Sequence, residues 1–235
     1  MVGLASGRLA VDMDGDRFML CGGLDLVVHD RQSLEFSEGV SMKQASAEVM
    51  VQDTLRWLER AVIGLNLCPF AKSVYVKGQV HCTVSAANDL ETLRDDLLRE
   101  LRDLVAHEPA VRDTTVLVVQ HLLQDFYDYN DFLNVADDCL LALDLEGVIQ
   151  IASFHPKYQF AGTDEDDITN FTNRSPYPTL HLIREASIDR AVAAFPDAEA
   201  IFEVNMATLN RLGLQGWQDL NVGPSLPQNE TDEKK

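Results

Sequence analysis

Basic residues are scarce in this sequence: 19 Lys and Arg stand against 38 Asp and Glu, a formal charge of −19. A polyanion brought to such a surface meets repulsion where counterion release would be needed, which argues against nucleic acid and anionic membranes as partners. Long apolar runs are missing as well, and the first residues lack the basic start, apolar middle and cleavage site of an export signal, so the expected location is the cytoplasm. Cysteine is sparse: Cys21, Cys68, Cys82 and Cys139 form no C-x-x-C pair and sit in a chain large enough to fold without staples, so they read as reduced thiols. No Walker loop, G-x-G-x-x-G, G-x-S-x-G or H-E-x-x-H occurs, so no motif names a cofactor or a metal.

What is present is a regular alternation of helical and strand patterns over a length that suits one domain. Residues 44–65 carry Val51, Leu55, Leu58, Val62 and Leu65 at helical spacing, with Gln52, Asp53, Arg56, Glu59 and Arg60 between them as a solvated face. Gln79 to Ser85 alternates as a strand. Asn88 and Glu91 form a capping-box pattern ahead of a leucine stripe at 90, 93, 97, 101 and 104. TTVLVVQ (114–120) reads as a buried strand, about 131–145 as a third helix, and 148–154 as a third strand. Crossover helices would let these three strands run parallel. A fourth strand is expected at Thr179–Arg184, then helices capped by Ser187 and by Asp197, the latter running to about Leu212. The fold class is therefore α/β (or α+β), a mixed, partly parallel sheet of about four strands with helices on its faces.

The ends differ from this pattern. Residues 1–41 carry weak signals and read as an extension, and Met42, just before the first strong helix, is an alternative start. Residues 42–212 form the domain; the last stretch, 213–235, has almost nothing apolar to anchor it and reads as a flexible tail.

In a parallel sheet, ligands gather beyond the carboxyl ends of the strands. There FHPKYQF places His155 at a strand exit as a candidate acid–base group, with Tyr158 close behind. The loop TNFTNRSPYP adds Asn170 and Asn173 as orienting donors, Arg174 as an anion clamp, and Tyr177. Cys68, in LNLCPFA, is a candidate nucleophile for His155, although it lacks the preceding strand and second Cys of a thioredoxin-like redox site. Structural roles compete at each position: a His bonded to a carbonyl, an Arg answering a nearby acid, a thiol packed in a turn. Thr163 is expected to cap a short helix whose first turn holds the acids of TDEDD, and Asp125 to Asp131 reads as a solvated helix entrance.

GLNLCPFA (64–71), DYNDFLNVADD (128–138), FHPKYQFAGT (154–163) and TNRSPYPTLHLIREASIDRAV (172–192) together resemble an uncharacterised bacterial family, the domain of unknown function 1415. The resemblance covers about residues 42–212 and implies those domain limits, but no activity or catalytic residue. Two functional expectations follow. One is a small-molecule enzyme or binding domain whose pocket gathers His155, Tyr158, Asn170, Asn173, Arg174 and Tyr177 around a small anionic ligand, with Cys68 nearby. The other is a non-catalytic module whose acidic surface and aromatic residues Phe126, Tyr127, Tyr129 and Tyr177 meet a basic protein.

Overall fold

Ser46 opens the first helix by accepting from Val49 N–H, and α1 runs Ala47–Trp57 in the computed structural model, which describes residues 46–193 and 200–225. Its buried stripe is Met50, Asp53, Thr54 and Trp57, rotated from the one that the apolar residues suggest. The helix then widens into a π-helical stretch, Leu58–Ile63, and Gly64 N–H reaches back five residues to Glu59 C=O at 2.9 Å. That wide turn brings Arg60 C=O into the space that a Cβ on Gly64 would occupy, so only glycine fits there.

The sheet consists of β1 (Val80–Ser85), β2 (Thr114–Val119), β3 (Ile149–Phe154) and β4 (Thr179–Arg184), in the order β1-β2-β4-β3. Strands β1, β2 and β3 point the same way, as their intervening helices suggest. However, β4 inserts antiparallel between β2 and β3, so among the described residues β1–β2 is the one parallel pair. A crossover helix sets a strand's direction but leaves room for a later strand to slip in beside it.

A short helix, α2 (Ala71–Val76), precedes β1, and one face of the sheet packs on α3 (Leu90–Ala106) and α4 (Phe126–Ala142). Leu93, Leu97, Leu101 and Leu104 of α3 are fully buried against Leu117, Leu180 and Leu182, each stabilising the fold by roughly 1.5–3 kcal/mol. The cap of α3 is Asp89, whose carboxylate takes Thr92 N–H at 2.8 Å, one residue later than the capping-box pattern indicates. Asp125 caps α4 by accepting from the Tyr127 and Asp128 amides, so this helix starts five residues before the 131 expected from the apolar pattern. On the other face Met50 covers Val116 and Val118.

After β4 the chain enters α5 (Glu185–Ala193) directly, and Ser187 lies inside it, donating to Asp113 at 2.7 Å instead of capping. The last helix, α6 (Ile201–Asp219), breaks at Gly213 (φ 66°) and resumes. Residues 213–225 are thus not the unanchored tail expected from composition. Val222 is buried with Trp57, and Arg56 donates to Asn221 C=O and Gly223 C=O at 2.9 Å each. The extension 1–41, the alternative start at Met42, the cap at Asp197 and residues 226–235 lie outside the described residues. Among the described residues no helix is long and apolar enough to cross a membrane.

Candidate functional site

The two loops singled out in the sequence do fold together at the exit of β3. Asn173 lies beside the strand end, donating from its amide to Ser153 C=O at 3.2 Å and accepting from His155 N–H at 3.2 Å. Arg174 reaches over the same turn, with Nε 3.1 Å from Tyr158 C=O, a second bond to Glu165 C=O, and its guanidinium 4.4 Å above the Phe171 ring. Asn170 is fully buried; its Oδ1 accepts from Phe160 N–H (3.0 Å) and Thr163 Oγ1 (2.8 Å), while Nδ2 donates to Asp164 C=O (2.8 Å). Thr163 is thereby tied into this turn, and Asp167 takes the capping role for the 3₁₀ turn Ile168–Thr172 through Thr169 N–H.

The polar atoms gathered here bind backbone. His155 has no exposed surface; Nε2 lies 3.0 Å from Leu123 C=O and so carries the proton, while Nδ1 accepts from Lys157 N–H at 3.0 Å. Burial pushes its pKa down, against the opposing pull of the Leu123 carbonyl, so the ring is neutral near pH 7. Phe126 and Tyr129 flank it at centroid distances of 5.4 and 5.1 Å, and Tyr158 packs on Phe126 at 5.2 Å. Leu123 itself holds φ 59°, a left-handed conformation that costs a branched residue energy and is held in place by the imidazole. The arrangement is a knot fastening the β2–α4 loop, the β3 exit and the β4 entrance.

Cys68 lies elsewhere, packed against the cluster of Trp57, Leu58, Ala61 and Val62. Burial pushes its thiol up, opposed by the Phe70 and Ala71 amides, and both nitrogens of His155 are already engaged, so this arrangement does not activate it. Tyr177 turns away from the knot to donate to Asp53 at 2.7 Å. Asp53, which sequence reasoning placed on a solvated face, is fully buried and also takes Ser225 N–H (2.7 Å), Ser225 Oγ (2.5 Å) and Arg56 (2.7 Å). Its spacing of three from Met50 and four from Trp57 was the available signal. These donors outweigh burial and hold its carboxyl below the usual range.

A family model described as a protein of unknown function, DUF1415, matches residues 49–219. This chain belongs to the DUF1415 family. Comparison with the curated proteins and with the solved structures gave no match. The DUF1415 segment takes in the sheet, Asp53, the knot around His155 and all of α6, and it ends before Val222 and Ser225 close over α1. Among the described residues of this DUF1415 chain, no three His, Cys, Asp or Glu side chains converge as a metal site. Of the aromatic set considered for partner binding, Tyr129 is buried and Tyr177 is bound to Asp53, whereas Tyr127 is 76% exposed.

Proposed function

We propose that this DUF1415 domain is a non-catalytic interaction module for a basic protein partner in the cytoplasm. One observation carries the reading: among the described residues strand β3 is a sheet edge, and a cavity of about 200 Å³ beside it is lined by Asp137, Glu146 and Glu185. An acidic flank along a strand edge suits recognition of a cationic extended segment. The excess of 38 acidic over 19 basic residues would speed encounter with a cationic partner. The free thiols Cys68, Cys82 and Cys139 suit a reducing compartment.

The rival reading, a small-molecule enzyme or binding site around His155 and Arg174, has less support, because the groups that would meet a small anionic ligand hold the loops together. The test is a pair of titrations. A basic peptide should bind with an affinity that falls as salt rises, and its acidic counterpart should not bind. A small anion that raises the melting temperature in a thermal-shift panel, and loses that effect in Arg174→Gln, would support the rival.

A further inference from the structure

Resting on that reading, we infer that the partner docks as an extended basic segment adding a strand to the outer edge of β3. The phase of the ladder decides which backbone groups are available. Glu185 N–H donates to Val148 C=O at 3.0 Å, and Ile149 faces Arg184, so the Ile149–Arg184 pair is of the non-hydrogen-bonded kind. Gln150, Ala152 and Phe154 therefore turn their amides and carbonyls towards β4, and Ile149, Ile151 and Ser153 turn theirs outwards.

The outer row is closed at both ends. Ile149 N–H is taken by Leu145 C=O at 3.0 Å, and Ser153 C=O by the Asn173 amide at 3.2 Å. Between these stops remain Ile151 N–H, Ile151 C=O and Ser153 N–H, with no partner among the described residues, whereas Ile149 is 1% exposed and its carbonyl is covered. This is a window with alternating acceptors and donors, the pattern that one extended residue opposite Ile151 and its neighbours would fill. Strand edges are usually blunted by lysine, proline or a bulge, and IQIASF has none of these.

The cavity favours this edge over that of β1 and points to the occupant. Ile149 and Ile151 pack on the α4 side, where Leu140 and Asp137 line the same hollow, and Glu146 and Glu185 stand at its rim. A lysine or arginine at one position of the incoming strand would lay its apolar stem on Leu140 and the isoleucines and bring its charge to the acids. A second copy of this chain is disfavoured by the same acids, since pairing β3 with β3 would bring two acidic flanks together.

The test is site-resolved amide hydrogen exchange on the full chain, alone and with a blocked peptide alternating lysine and valine. The proposal expects the Ile151 and Ser153 amides to exchange fast in the free protein and slowly in the complex, and the Ala152 amide to be slow in both. Binding without protection at Ile151 and Ser153 overturns the edge site and leaves the module reading standing; no binding of any basic peptide overturns both. Protection of these amides in the free monomer means that the chain covers its own edge, and protection that grows with protein concentration assigns the edge to a second copy; each also overturns the proposal.

Discussion

The hydroxyl of Tyr129 bridges two strands of the sheet, donating to Thr179 C=O at 2.7 Å while accepting from Phe154 N–H at 3.1 Å. Phe154 and Thr179 face each other in register, so the phenol reinforces the last pair of the ladder. Tyr129 and Thr179 are both fully buried. Tyr129→Phe would remove both of these bonds in a dry site. The expected loss is about 1–3 kcal/mol in urea unfolding, with faster exchange of the Phe154 amide. An unchanged midpoint would mean that the ladder holds as well without the phenol.

His155 is expected to behave as scaffold. His155→Ala strands Leu123 C=O and Lys157 N–H and removes the support of a left-handed leucine. The expected cost is roughly 2–4 kcal/mol. Peptide affinity, measured below the melting transition, should stay within about twofold of the parent. A variant of unchanged stability that has lost a binding activity would return His155 to the list of functional groups.

Acid should weaken the fold through His181. Its Nε2 lies 2.7 Å from Thr114 Oγ1, which itself donates to Leu182 C=O, and burial pushes the ring's pKa down to about 4. An unfolded histidine takes up its proton near 6.5, so between about pH 6.5 and 4 the unfolded chain binds more protons than the folded one. Stability is therefore full above about 6.5 and falls across that window by an amount on the order of 3 kcal/mol. The lowered pKa of His155 works in the same direction. Urea midpoints at several pH values should show the decline, reduced in His181→Gln; a flat profile would contradict the assignment.

Gly64→Ala should disturb the exit of the π-helical stretch, because the new methyl clashes with Arg60 C=O. A loss of about 1–3 kcal/mol is expected, accompanied by changed amide shifts from Leu58 to Cys68. An alanine variant as stable as the parent would show that the wide turn relaxes to an ordinary one at no cost.

The strands were legible to within one residue, because Val80 to Ser85 and Thr114 to Val119 carry β-branched residues in patterns set by their own two faces. The place of β4 was not, since TLHLIR reads the same beside β2 alone as between β2 and β3. Asp53 escaped notice because hydrophobicity was used to find the buried stripe, and this carboxylate is buried by four bonds, two of them to a residue 172 positions away. The residues around His155 were found, and they do converge. What the sequence does not encode is which backbone atoms they satisfy, and that decides between a site and a knot. Which backbone groups β3 turns away from β4 likewise follows from the phase of a ladder, which no local pattern reveals.

The most direct test of the interaction account is calorimetric titration of the basic peptide into the parent chain, a Glu146→Lys/Glu185→Lys variant and Arg174→Gln. The account expects charge reversal beside β3 to weaken binding about tenfold or more and Arg174→Gln to bind like the parent. Binding that survives the reversal and disappears with Arg174→Gln would contradict it.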